Sequence, residues 1–162
     1  MTVTSVVPDR EARTLTLTAE YDAPVERVWQ LWADPRLLER WWGPPTYPAT
    51  VGAHDLTVGG TVTYVMTGPE GDTHPGWWRI RAVEAPTSLE FDDGFGEPFS
   101  EDLPVTTARV RISGAGPRTT MVVTTTFASA EDLDQVLAMG MLEGLTLAAG
   151  QIDDLLQQPV AG

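Results

Sequence analysis

His54 and His74 are the two histidines of a 162-residue chain that has no cysteine. Neither has a close cluster of His, Asp or Glu around it, so no metal centre is expected. His74 precedes Pro75 and Gly76, which reads as a turn or strand entry. To act as a general acid or base it would need a partner within hydrogen-bond reach. Glu143 is the other candidate, between Gly140 and Gly144 in an apolar helical segment. Turned inward it would be a buried carboxylate with a raised pKa, suited to acid–base work; turned outward it is a solvated charge. No Gly-x-Ser-x-Gly elbow, P-loop or dinucleotide fingerprint occurs, and Gly59-Gly60 is too short to cradle a phosphate. Nucleophilic hydrolysis, nucleotide hydrolysis and hydride transfer therefore have no support. No catalytic residue is assigned, and no cofactor is expected.

The apolar chemistry is richer. Of six tryptophans, four form the pairs Trp41-Trp42 and Trp77-Trp78. Aromatic side chains carry large apolar area at low conformational cost, and a small core needs few of them. The pairs therefore suggest a lined cavity or a contact surface. Strand alternation sends Trp77 and Trp78 to opposite faces, so at most one lines a cavity. Trp78 is the choice, on a face with Ile80 and Ala82. Tyr64 and Met66 share a face of a neighbouring strand, and Phe91 and Phe95 could close one end. Trp29 and Trp32, at helical spacing, read as ordinary helix packing. Gly140, Gly144 and Ala148 fall on one helical stripe. A helical glycine costs about 1 kcal/mol against alanine, so the stripe serves close approach to a sheet or leaves space for a ligand.

Residues 13–21 alternate apolar and polar as a half-buried strand. Asp22-Ala23-Pro24 and Asp34-Pro35 open two short helices, and Gly43-Pro44-Pro45 ends the second. Strands are predicted for residues 50–58, 61–66, 77–83 and 89–91. A hairpin over residues 105–112 and 119–127 follows an acidic loop over 92–104. One long helix should run over about residues 130–156, N-capped by Ser129. Arg79 with Arg81, and Arg109 with Arg111, mark solvated strand faces or a grip on an anion. The acidic stretch over residues 84–102 reads as a solvated loop, or as a gate with Phe95 and Phe99 as lids.

The formal net charge is −13, which disfavours nucleic acid and anionic membrane surfaces as partners. No apolar run approaches a membrane span, so no insertion is expected. The first residues lack a basic start and a long apolar run, so no secretory leader is expected and a cytoplasmic location is.

Four motifs carry a resemblance. They are Ala23-Pro24-Val25-Glu26-Arg27-Val28-Trp29, Trp41-Trp42-Gly43-Pro44, the hairpin from Gly59 to Met66 with Gly68-Pro69-Glu70-Gly71, and Met139-Gly140-Met141-Leu142-Glu143-Gly144. In this order they resemble the START-like (SRPBCC, helix-grip) superfamily, and within it the bacterial homologues of the activator of the heat-shock-protein ATPase. The match spans about residues 12–157 of a single domain. The resemblance implies an α+β helix-grip fold. In it a curved antiparallel sheet of six or seven strands wraps a long C-terminal helix, with two short helices after strand one. It also implies a cavity for a small apolar ligand, lined by Trp41, Trp42, Tyr64, Met66, Trp78, Phe91 and Phe95, with Met139, Gly140 and Glu143 from the helix. Two alternatives stand beside it. A cyclase- or hydrolase-like enzyme acting on a polyketide-type metabolite predicts Glu143 or His74 bonded to a polar group inside the cavity. A chaperone-cofactor-like domain with a protein partner predicts a filled cavity and an exposed apolar patch. A homodimer is a related expectation.

Overall fold

Leu15, Leu17, Ala19 and Tyr21 are buried while the threonines between them are not. That alternation makes β2 (Thr14–Tyr21) a strand with one face in the core. The computed structural model describes residues 3–43, 46–96, 105–138 and 140–157. Two short helices follow β2. They are α1 (Val25–Ala33) and α2 (Pro35–Trp41), the latter capped by the Asp34 carboxylate, which accepts from the Arg36 N–H at 2.9 Å. Then come β3 (Ala49–His54), β4 (Thr61–Thr67), β5 (Thr73–Glu84), β6 (Ser88–Phe95), β7 (Thr106–Ala115) and β8 (Arg118–Thr126). With β1 (Val3–Asp9) they form one antiparallel sheet in the order β1-β2-β8-β7-β6-β5-β4-β3. The chain ends in α3 (Ala130–Ala138) and α4 (Met141–Gln157).

The fold is α+β as expected, but the described residues form eight strands, not six or seven. The extra strand is β1, a mostly exposed edge with Pro8 near its end. An edge strand tolerates proline and need not alternate, so it leaves a weak trace in sequence. The third strand stops at His54 instead of Val58. The strand at residues 89–91 extends to Phe95, so residues 92–95 pair with β5 and do not belong to a loop. Ala82 is exposed and Val83 packs inward, because a register shift between Ile80 and Ala82 reverses the alternation there.

The long helix is broken. Gly140 sits between α3 and α4 with φ +89°. That left-handed conformation costs an L-residue roughly 1–2 kcal/mol and glycine almost nothing. Ser129 caps α3 as expected, its Oγ accepting from the Asp132 N–H at 3.1 Å.

The core lies between the sheet and α1, α2 and α4. Ala149, Ile152 and Leu155 of α4 join Leu17, Val62, Trp78, Phe91 and Ile112 of the strands. A smaller cluster of Leu15, Phe127 and Leu133 anchors α3. Gln151 ties α4 to the exit of α2, its side-chain N–H donating to the Gly43 carbonyl at 2.7 Å. This bond fixes the backbone on which Trp41 and Trp42 stand.

Candidate functional site

A cavity of about 240 Å³ remains inside this core. Its walls come from every side. β4 supplies Tyr64 and Met66, β6 supplies Phe91 and Asp93, and β8 supplies Met121, Val123 and Thr125. Trp32 of α1, with Trp41 and Trp42 at the end of α2, closes one side; Gly144, Ala148 and Ala149 of α4 close another. The aromatic wall is rigid. Trp32 meets Trp41 edge-on at 4.7 Å, and Trp42 meets Trp78 edge-on at 4.7 Å. Each such pair adds about 0.5–1.5 kcal/mol beyond area burial.

Of the residues the sequence picked out, Trp41, Trp42, Tyr64, Met66 and Phe91 come together on this wall. Trp78 stands behind it, fully buried and stacked on Phe91 at 4.0 Å with 19° between the rings. Gly140 is spent on the helix break, away from the wall. Glu143 is exposed on α4, so it contributes no acid or base to the cavity. Phe95 ends β6, and its side chain lies outside the described set; Met139 and Phe99 also lie outside the described residues. Gly144 answers the question about the small-residue stripe. A Cβ placed there would meet nothing within 4 Å, so at this position the helix leaves space.

Among the wall residues that escaped the sequence reading are Trp32 and Asp93. Trp32 was expected to be plain packing, yet it lines the cavity while its indole N–H reaches the Met121 sulfur at 3.4 Å. Asp93 was assigned to a solvated loop. In the fold it stands on β6, partly buried, and lines the cavity. Its signal was present: Leu89, Phe91 and Asp93 share strand parity, and the first two are fully buried. The acids on either side of Asp93 hid it.

Asp93 is the polar centre of the site. The Tyr64 hydroxyl donates to its Oδ1 at 2.9 Å. Tyr64 stands on β4 and Asp93 on β6, with β5 between them. The reach is made possible by Gly76, the β5 partner of Tyr64, where any Cβ would collide with the phenol ring. Burial pushes the Asp93 carboxyl up to about 7, against a smaller opposing effect of the Tyr64 hydrogen bond. Burial first, and then the Asp93 charge, push the Tyr64 phenol well above its ordinary value.

The Trp42 ring meets the Tyr64 ring edge-on at 5.8 Å. Its indole N–H lies beside the Tyr64 hydroxyl and lowers that group's pKa slightly, yet it closes no hydrogen bond and is buried without an acceptor among the described residues. By contrast, the Trp41 N–H donates to the Leu31 carbonyl at 2.9 Å.

The remaining candidates lie elsewhere. His74 is exposed and pairs with Asp72 at 2.7 Å; that hydrogen bond holds the Asp72 carboxyl below its ordinary value. The His54 Nε2–H donates to the Trp32 carbonyl at 3.0 Å, a structural tie between β3 and α1. On the opposite face of the sheet, Arg81 pairs with Asp92 at 2.7 Å and Arg109 with Glu90 at 3.6 Å. Arg79 lies over the Trp77 ring at 5.6 Å. A second hollow of about 270 Å³ lies on that face, lined by Glu90, Arg109, Arg111 and threonines. Its lining is polar with exposed arginines, whereas the other cavity is apolar and aromatic-walled, so the aromatic cavity is the better site. Among the described residues no cluster of His, Asp or Glu could hold a metal, and no helix is long and apolar enough to cross a membrane.

Solved structures share this architecture. A protein from Mycobacterium smegmatis is 49% identical, covering 98% of this chain and 99% of its own, with a TM-score of 0.87. A protein from Arthrobacter aurescens is 48% identical, covering 98% of this chain and 94% of its own, with a TM-score of 0.92. A protein of the dynemicin biosynthetic locus is 21% identical and covers 85% of this chain and 46% of its own, with a TM-score of 0.61; that likeness shows the fold alone. No curated protein matches the chain. The family model of the Activator of Hsp90 ATPase homolog 1-like proteins matches residues 22–157, and the chain belongs to that family.

Proposed function

We propose that this protein binds a small, mostly apolar molecule in the cavity between the sheet and α4. The observation that carries the reading is an unfilled, aromatic-walled space of about 240 Å³ inside an otherwise packed core. Gly144 leaves room on the helix side, where a side chain would fit without a clash. A bound ligand would be stabilised by burying apolar surface against these walls. The volume is below the roughly 300–1,000 Å³ of drug-sized sites, so the ligand is small.

Native mass spectrometry of the purified protein tests this directly. The expected result is a co-purifying small molecule that is lost from Gly144→Leu, a variant whose new side chain fills the space. Stripping the molecule from the wild-type protein should lower its Tm, because a ligand held only by the folded state stabilises it. If the wild type carries no mass adduct and its tryptophan emission is unmoved by a panel of small apolar molecules, the reading fails.

Asp93 favours a second reading. A carboxyl that titrates near neutrality beside a cavity is suited to moving a proton at a bound substrate. Among the described residues it is the only carboxylate that lines the cavity. A cyclase- or hydrolase-like reaction would therefore run through Asp93, not through the exposed Glu143 or His74. Loss of turnover in Asp93→Asn with ligand binding retained would separate this reading from simple binding.

A further inference from the structure

Thr106, Thr119 and Thr125 are the buried polar side chains among the described residues. Such groups are ordinarily hydrogen-bonded, and two of these are. The Thr119 hydroxyl donates to the Ala23 carbonyl at 2.6 Å, and the Thr106 hydroxyl donates to the Asp93 carbonyl at 3.4 Å. Thr125 is only 7% exposed, yet its hydroxyl has no partner among the described residues. It stands on β8, on the same face as Met121 and Val123, and all three line the cavity. Its cross-strand neighbours, Leu15 and Ala108, carry no polar side-chain atom. The Thr125 oxygen is not sealed in as the Trp42 N–H is; it keeps accessible surface on a residue whose inward side is the cavity. A lone polar group set among apolar walls is what orients a ligand in such a site.

We infer that Thr125 is the polar anchor of the cavity and donates its hydroxyl proton to one uncharged carbonyl oxygen of the ligand, so that the ligand class is ketones, aldehydes or esters on an apolar frame. The inference rests on the binding function proposed above. A threonine hydroxyl has one proton to give. A carbonyl takes it and brings none of its own. An alcohol also pairs with Thr125, but two hydroxyls carry two protons and only one lies between them. The other is left unmatched beside Leu15 and Ala108. Asp93 is too distant to take it, since β6 lies two strands from β8, roughly 10 Å away. A hydrocarbon leaves the Thr125 proton unmatched. A carboxylate finds no arginine or histidine among the described lining residues, and desolvating its charge is costly.

Titrations followed by the tryptophan indole NMR signals test the inference with acetophenone, α-methylstyrene and 1-phenylethanol. α-Methylstyrene carries a methylene in place of the carbonyl oxygen. Water solvates the ketone better than the hydrocarbon, so their affinity ratio is compared between variants and not judged in the wild type alone. Thr125→Val keeps the shape, suits a strand and removes the hydroxyl. It should weaken acetophenone about tenfold relative to α-methylstyrene, the effect of one net hydrogen bond. Thr125→Ser, which keeps the hydroxyl, should hold the ratio near that of the wild type. 1-Phenylethanol should lose less than acetophenone does. A ratio that is the same in the wild type and Thr125→Val overturns the anchor but leaves the cavity reading intact. An equal or larger loss for 1-phenylethanol overturns the assignment to carbonyls. If none of the three probes moves the indole signals of the wild type, both readings fall together.

Discussion

At pH 7 about half of the Asp93 carboxyls keep their proton, because burial has raised the group to about 7. In an unfolded chain an aspartate titrates near ~3.9. Between those values the folded state holds a proton that the unfolded chain has released. The folded pKa is raised, so this contribution to stability is fully present below about pH 4 and is lost as pH rises through 7. Asp93→Asn keeps an oxygen acceptor for the Tyr64 hydroxyl and removes the titration. Urea unfolding should therefore show the variant gaining on the wild type by roughly 2–4 kcal/mol between pH 4 and pH 8, a range discounted for the accessible part of the carboxyl. A difference that stays constant across this range would mean that Asp93 is solvated. Strand parity with Leu89 and Phe91 marks Asp93 as inward once β6 is known to run to Phe95, but the acids beside it read as a loop. Its partner was not legible, since Tyr64 lies 29 residues away and two strands over.

At the scale of elements, two glycines on the same predicted stripe have opposite roles. Gly140 holds φ +89° and separates α3 from α4, whereas Gly144 lies inside α4 beside open space. Gly140→Ala should lose roughly 1–2 kcal/mol, because an L-residue resists that conformation. Gly144→Ala should gain up to about 1 kcal/mol from helix propensity and meets no atom that a methyl would strike. Thermal unfolding of the two single variants checks both signs; equal effects would contradict the break. Sequence spacing alone placed both residues on one face, because it assumes an uninterrupted helix. The interruption is a backbone choice made where α3 settles on Leu15 and Phe127 and α4 settles on the sheet. The β5 irregularity has the same character. Alternation predicted Ala82 inside, and a register shift against β6 put Val83 there.

For the whole molecule, a net charge of −13 on 162 residues is a source of self-repulsion. Surface pairs such as Arg10 with Asp134 at 3.1 Å offset little of it, as exposed ion pairs contribute about 0–1 kcal/mol. Screening shortens the range of the repulsion from roughly 10 Å at 0.1 M salt to roughly 3 Å at 1 M. Tm should therefore rise between those sodium chloride concentrations, and calorimetry that found it falling would place the balance in attractive pairs instead. By itself the sequence determined the charge, most of the elements in their order, and which side of most strands faces inward. These follow from composition and from periods of two and 3.6 residues, which are local. Tertiary structure alone decided which inward residues meet. It brought Tyr64 across Gly76 to Asp93, set Trp78 behind Phe91 and Trp42 in front, and left the space beside Gly144 unfilled. Such meetings depend on strand register and on how α4 seats against the sheet, and no local period encodes either.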